Sequence, residues 1–128
     1  MTGQVIWITG LSGAGKTTLA EELNMSLQKK KHIHPILLDG DVLRNIFTKG
    51  TLCKELYDRN SRINLALKYG ILSQTLSSQG FTVIIATISM FNEIYVWNRK
   101  NLTNYFEVYL KVPIDELYLR DNKQIYQR

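Results

Sequence analysis

The sequence predicts an α/β fold in which a parallel β-sheet lies between two layers of helices. Apolar, β-branched runs alternate with amphipathic segments along the chain, which is the pattern of βαβ units with right-handed crossovers. The run at residues 81–89 is apolar almost throughout, as is typical of a parallel strand covered on both faces. The 128 residues suffice for one hydrophobic core, so we expect one domain, residues 1–128.

Composition narrows the class of protein. The apolar fraction of 45% is ordinary for a globular chain, and no apolar run approaches the roughly 20 residues of a membrane-spanning helix. Residues 1–10 lack the charged leader of a signal peptide and are interpreted as the approach to a first strand. The single cysteine, Cys53, cannot form an internal disulfide. We therefore expect a cytoplasmic protein with no membrane partner.

The net charge of +5 indicates anionic partners, but charge alone does not separate nucleic acid from small phosphorylated molecules. The run Lys29–Lys31 fits the solvated last turn of a helix. Because no basic stripe is interleaved with aromatic residues, we expect no nucleic-acid partner.

The segment GLSGAGKTT, residues 10–18, fills the pattern G-x-x-x-x-G-K-[ST]. It follows an apolar run at 4–8, which predicts a strand. The segment after it, 16–31, carries leucines at four-residue spacing and predicts an amphipathic helix. Because strand, glycine loop and helix are the context that the motif requires, the sequence predicts a phosphate-binding loop.

In such a loop the backbone N–H groups and the helix dipole face the phosphates. Lys16 is expected to reach the β- and γ-phosphates of ATP, and the Thr17 hydroxyl is expected to bind Mg²⁺. Thr18 is expected to pack or cap nearby, and Ser12 either contacts phosphate or fills the loop. The predicted nucleotide-binding residues here are Gly10, Ser12, Gly13, Ala14, Gly15, Lys16, Thr17 and Thr18.

The remaining elements continue the alternation of strands and helices. They are a strand within 34–41, a helical turn at 42–47, a long helix at about 57–79 ended by Gly80, a strand at 81–89, a helix at 91–104, a strand at 105–112 and a helix opened by Pro113.

Asp39 and Asp41 follow the second predicted strand, at the edge where ligands of open α/β sheets bind. One carboxylate could hold the metal's water shell or accept a proton from an attacking hydroxyl. We therefore predict that Asp39, Asp41 and Lys16 are catalytic. Thr17 and Asp39 are the predicted metal-binding residues. The alternative is an Asp-Gly turn that caps the next helix. Arg44, one helical turn beyond Asp41, is placed to clamp an anion.

Arg59 and Arg62 open the long helix, where either could form a surface ion pair with Asp58. Three arginines after an acidic turn favour an anionic substrate instead. Ser89 ends the third predicted strand at the same edge of the sheet, or begins a turn there.

The motifs of other phosphate-loop classes are missing. A GTPase needs N-K-x-D, yet NKQI at 122–125 ends in isoleucine, and the acidic strand end typical of ATPase motors is not found at 81–89. Small-molecule kinases, whose acceptor site follows the second strand, are the remaining class.

Three segments in order, VIWITGLSGAGKTTLA, LLDGDVLR and EVYLKVPIDELYLRDNKQIY, are similar to the opening, the acidic element and the lid of one family. They resemble the adenylyl-sulfate kinases, which use MgATP to phosphorylate the ribose 3′-hydroxyl of adenosine 5′-phosphosulfate. The resemblance covers nearly the whole chain. It implies a three-layer P-loop fold, ATP and Mg²⁺ as cofactors, and a small nucleotide as acceptor.

The resemblance also implies roles for residues outside the phosphate loop. It assigns Asp39 and Asp41 to the acceptor hydroxyl, Arg44 and Arg59 to the substrate, Ile88 and Ser89 to the strand end along the nucleotide, and Arg120 and Lys123 to a mobile lid over the phosphates.

Three departures from the family fall in the acceptor pocket. TLCKEL stands where the family has a phenylalanine that stacks on adenine, Arg62 replaces an asparagine, and ISMF replaces I-S-P-Y. YDRNSR and IIATISMFNEIYVWNRKN resemble a bacterial branch that includes cytidine diphosphoramidate kinase, which acts in capsule modification. Both acceptors therefore stay open.

Members of the family continue past the lid into a last strand and helix, which we expect to be missing after Arg128. An uncovered sheet edge would favour lower stability or a homodimer. A non-catalytic nucleotide-binding fragment is the further alternative.

Overall fold

The computed structural model describes residues 2–49 and 58–119. Its elements are β1 (Val5–Gly10), α1 (Lys16–Lys31), β2 (Ile36–Asp39), α2 (Gly40–Phe47), α3 (Arg59–Ser78), β3 (Val83–Thr87), α4 (Asn92–Asn101), β4 (Tyr105–Leu110) and α5 (Ile114–Leu119). The predicted α/β class and the order of its elements are confirmed. Within these ranges no helix has the length and apolar character needed to cross a membrane.

The four strands form one parallel sheet in the order β2-β3-β1-β4. Thr9 of β1 lies opposite Thr87 of β3, and Asp39 of β2 lies opposite Ala86. The carboxyl ends of these strands therefore share one edge. The chain leaves β1 toward β2 and leaves β3 toward β4, so the pair β1–β3 is the switch point at which open α/β sheets bind ligands.

Each central strand contributes side chains to both faces of the sheet, because successive residues of a strand point in opposite directions. Ile6 and Ile8 pack against α1, and Trp7 packs with residues of α2, α3 and α4. Ile84 and Ile85 of β3 divide between the same two clusters. The prediction that the third strand is covered on both faces is confirmed.

Several helix ends differ slightly from the sequence prediction, and helix α4 ends at Asn101, three residues before the predicted end at 104. Helix α2 begins at Gly40, two residues before the predicted turn, because Asp39 already acts as its N-cap. Helix α3 begins at Arg59, with Asp58 as N-cap. Its predicted end at Gly80 is confirmed, since Gly80 has a φ of 94° and donates its N–H to the Ser77 carbonyl at 3.0 Å.

A glycine inside α3 has a packing explanation. A Cβ at Gly70 would lie 2.7 Å from Cζ3 of Trp97 in α4 and 3.1 Å from Oδ1 of Asn98. Helices α3 and α4 therefore approach closely at this point, and the glycine that weakens α3 locally is what permits the contact.

Replacing Gly70 with alanine is expected to lower the free energy of unfolding by about 1 kcal/mol. The clash with the indole outweighs the roughly 1 kcal/mol that alanine gains in helix preference. Urea unfolding of Gly70→Ala in the wild-type and Trp97→Leu backgrounds tests this, because the change should become neutral or stabilising once the indole is gone. Equal effects in both backgrounds would contradict the packing explanation.

Candidate active site

The phosphate loop connects β1 to α1 at the switch point of the sheet. Gly13 and Gly15 have φ angles of 86° and 102°, in the left-handed region that favours glycine. The Lys16 ammonium donates to the carbonyls of Gly10 and Leu11 at 2.9 and 3.0 Å, so it is held inside the loop. Gly15 is the N-cap of α1 and has no side chain with which to cap the helix. Backbone, helix terminus and lysine together suit a polyphosphate.

The other residues of the loop divide by exposure. Thr17 and Thr18 are exposed at the start of α1, whereas Ser12 and Ala14 are buried. A Cβ at Gly10 would lie 2.8 Å from the Leu110 carbonyl oxygen, so glycine is required where β1 meets the end of β4. The cradle fits a nucleotide phosphate, and the individual contacts predicted for these side chains remain predictions.

The acidic turn follows β2 at the same edge of the sheet. Asp39 Oδ1 accepts the Asp41 N–H at 2.8 Å, which caps α2. The capping alternative is therefore correct for Asp39. It does not exclude a second role, since one hydrogen bond leaves acceptor positions on an exposed carboxylate. Asp41 is exposed in the first turn of α2.

Gly40 brings this turn directly against β3. A Cβ there would lie 2.9 Å from the Ala86 carbonyl oxygen and 3.1 Å from Thr87 Oγ1. No larger residue fits without moving the backbone of one strand. The backbone between the two aspartates is consequently held beside the end of β3.

Tyr69 of α3 forms a hydrogen bond to the acidic turn. Its hydroxyl donates to the Gly40 carbonyl at 3.2 Å, and the residue is 3% exposed. Burial raises the pKa of Tyr69 to about 12, with Arg44 acting to lower it and Asp41 and Asp39 acting to raise it. The phenol therefore stays protonated as a donor at physiological pH, and the charges of Arg44, Asp41 and Asp39 all influence its pKa.

The end of β3 is also fixed by side chains. Ser89 is buried and its hydroxyl shares a 2.7 Å hydrogen bond with that of Thr87, which also accepts the Ser89 N–H at 3.3 Å. Ser89 thus helps to form the turn that leaves the strand, at the predicted edge. Ile88 is exposed between them.

The guanidinium groups of Arg59 and Arg62 contact residues at the start of α4, and no ion pair with Asp58 is found among the described residues. Arg59 forms an ion pair with Glu93 at 2.6 Å, and the guanidinium carbons of Arg59 and Arg62 lie 5.6 and 5.2 Å from the centre of the Phe91 ring. Asp58 instead accepts the N–H and the hydroxyl of Ser61. Hydrogen bonding by its own backbone N–H and by Arg59 lowers the pKa of Glu93.

The predicted lid residues Arg120 and Lys123 lie outside the described residues, as do Cys53 and Tyr57. Within the described part of the chain, no three His, Cys, Asp or Glu side chains gather into a metal site. Mg²⁺ in nucleotide sites takes one or two protein ligands beside phosphates and waters, so such a site needs no cluster of this kind.

Sequence reasoning missed Tyr69 and Glu93 as parts of this region. Tyr69 fits an ordinary buried position of a long helix, and its partner Gly40 is 29 residues away. No local spacing indicates such contacts, because they arise from the packing of α3 against α2 and α4.

Comparison with known proteins decides the family. The adenylylsulphate kinase family profile matches residues 2–128. The chain belongs to this family. It is a nucleotide kinase, and hence a phosphotransferase, and membership of a kinase family implies the use of ATP.

Two curated relatives and one solved structure illustrate the similarity. A cytidine diphosphoramidate kinase of Campylobacter jejuni is 48% identical over 124 residues, 97% of this chain and 69% of that protein. An adenylyl-sulfate kinase of Picosynechococcus is 37% identical over 127 residues, 98% of this chain and 68% of that protein. The Mycobacterium tuberculosis APS kinase, solved in complex with AMPPNP and APS, superposes with a TM-score of 0.85 at 28% identity, covering 98% of this chain and 72% of that one.

Tyr69→Phe keeps the ring and removes the bond to the acidic turn, so we expect the free energy of unfolding to fall by about 1 kcal/mol. Tyr109→Phe, which alters a tyrosine that is 56% exposed on β4, should change it by less than about 0.5 kcal/mol. Chemical denaturation measures both. Equal losses in the two variants would argue against a hydrogen bond from Tyr69.

The raised pKa of Tyr69 also gives a pH dependence. A phenol whose pKa rises from 10.0 to about 12 on folding contributes stability below pH 10 that is lost as the pH rises through 12. The wild-type free energy of unfolding should therefore fall more steeply between those pH values than that of Tyr69→Phe. Parallel curves would contradict burial of the hydroxyl.

Proposed function

We propose that this chain transfers the γ-phosphoryl group of ATP to the ribose 3′-hydroxyl of a small nucleotide. The observation that carries the proposal is the common sheet edge, at which the Lys16 loop follows β1 and the turn of Asp39 and Asp41 follows β2, two strands that both pair with β3. One element suits the donor's phosphates, and the other offers carboxylates to an attacking hydroxyl. Phosphoryl transfer needs this combination of positioning and charge.

The phosphate loop is proposed to align ATP. Lys16 and the first N–H groups of α1 would hold the β- and γ-phosphates, with Gly10, Ser12, Gly13, Ala14, Gly15 and Thr18 forming the cradle. Mg²⁺, when bound, neutralises charge on the phosphates. Thr17 and Asp39 are the residues proposed to hold it and its water shell.

Asp41 is the proposed general base. It lies exposed beside the capping residue Asp39, and its carboxylate is not the one that receives the capping N–H. It would take the proton of the ribose hydroxyl as that oxygen bonds to the γ-phosphorus, while the bond from phosphorus to the bridging oxygen breaks and ADP leaves. Asp39 keeps the turn in place during this step.

The arginines are proposed to hold the anionic groups of the acceptor. Arg44 lies in α2 with Asp41, and Arg59 and Arg62 lie in the first turn of α3. Ile88 and Ser89 are proposed to lie along the nucleotide at the end of β3. Arg120 and Lys123 are proposed, from the resemblance alone, as a lid that excludes water.

Two acceptors are in question. The 48% identity to a cytidine diphosphoramidate kinase supports a cytidine diphosphate derivative as the acceptor. The departures from the adenylyl-sulfate kinase pattern at Arg62 and Phe91 favour the same acceptor. The 37% identity to an adenylyl-sulfate kinase supports adenosine 5′-phosphosulfate as the second candidate. Capsule modification, a cytoplasmic location and a homodimer are further proposals of this kind.

Lys16→Ala should reduce kcat/KM by at least about 100-fold, since it removes a preorganised charge at the transferring phosphoryl group. Lys29→Ala removes the same charge from the exposed last turn of α1 and should leave the rate near wild type. Both are measured by steady-state phosphoryl transfer, with circular dichroism to verify folding. A folded Lys16→Ala enzyme with full activity would remove Lys16 from the mechanism.

Asp41→Asn should lower kcat by about 10²- to 10⁴-fold while leaving the KM for ATP unchanged, because only proton transfer from the acceptor is lost. Asp115→Asn, in the first turn of α5, provides the control with the same change of charge. An unchanged kcat in Asp41→Asn would assign the base elsewhere, with Asp39→Asn as the next variant.

A further inference from the structure

Four side chains form a charged cluster where α3 and α4 begin; we call it the arginine platform, consisting of Arg59, Arg62, Phe91 and Glu93. Phe91 immediately precedes α4, and its ring lies within 5.6 Å of the Arg59 guanidinium and 5.2 Å of that of Arg62. Glu93 Oε2 lies 2.6 Å from Arg59 Nη2. Cation–π contacts of this kind orient the guanidinium groups.

The platform packs on the same core cluster as α2, the helix that begins at the acidic turn. Phe91 stands two residues after Ser89, at the carboxyl edge of the sheet, and packs against the core cluster that contains Leu43 of α2 and Tyr69. The same packing layer therefore supports both the carboxylates proposed to act on the acceptor and the arginines proposed to bind it.

The two arginines of the platform have different partners. Arg59 is paired with a carboxylate, whereas the contact that the structure gives for the Arg62 guanidinium is with the Phe91 ring. A carboxylate and a phosphoryl group bind the same N–H edge of a guanidinium. An acceptor phosphoryl group that binds Arg59 must accordingly share or replace Glu93.

We infer that Glu93 is a specificity-determining residue that competes with the acceptor's phosphoryl group for Arg59, while Phe91 holds both arginines in place. The inference rests on the proposed function, since it assumes that Arg59 and Arg62 face the acceptor. A phosphoryl group displaces this exposed ion pair, which is intrinsically weak, whereas an uncharged nucleoside leaves it intact.

The test compares Glu93→Gln with Glu107→Gln. Glu107 forms the second ion pair of the described residues, with Arg99, so the control removes the same charge and the same kind of contact at another place. With the phosphate loop saturated by a non-hydrolysable ATP analogue, each protein is titrated calorimetrically with cytidine 5′-diphosphate and adenosine 5′-diphosphate.

Glu93→Gln should bind at least one of the two diphosphates about threefold more tightly than the wild type, because the competing carboxylate is gone. Glu107→Gln should match the wild type. A gain in affinity is informative because damage to the fold lowers affinity. Unchanged or weaker binding of both diphosphates by folded Glu93→Gln would overturn the inference.

A separate transfer assay distinguishes the two proposals. Tighter binding by Glu93→Gln together with no phosphoryl transfer by the wild type would support the competition and contradict the kinase. Transfer by the wild type without tighter binding by Glu93→Gln would do the opposite.

Discussion

The parallel pairing of β1 with β3 is the constraint on which the rest of the structure depends. It aligns Thr9 with Thr87 in register, so the phosphate loop and the turn after β3 leave the sheet side by side. Because β2 pairs with β3 in the same direction, Asp39 reaches that edge as well. A shift of one residue in either pairing would turn Ile84 and Ile85 to the wrong faces and lose both clusters of the core.

Close backbone contacts hold the phosphate loop and the acidic turn in place at this edge. Gly10 lies against the end of β4, and Gly40 lies against the end of β3, where side chains would collide with carbonyl oxygens. Tyr69 then ties Gly40 to α3 from the helix layer. The acidic turn is thereby held by contacts with the sheet and with a helix, which is the support that the proposed general base would require.

The features that the sequence predicted are those with local causes. The phosphate loop and α1 follow from a fixed spacing of glycines, Lys16 and leucines, and α1 has the predicted bounds. The contacts that were not predicted join distant segments, as Tyr69 does with Gly40 and Trp97 with Gly70. The residue types did not indicate these contacts, because a tyrosine within a helix fits an ordinary core position equally well. Sequence alone therefore predicted where the site lies, but it did not predict the contacts that support the site.

The measurement that tests the proposed kinase most directly is ATP consumption by the purified chain with Mg²⁺, offered cytidine diphosphoramidate and adenosine 5′-phosphosulfate in parallel. Mass spectrometry and phosphorus NMR then locate the transferred group. We expect one acceptor to gain a single phosphoryl group on its ribose 3′-hydroxyl, with one ADP released per product. Tight ATP binding with neither acceptor phosphorylated would contradict the proposed activity.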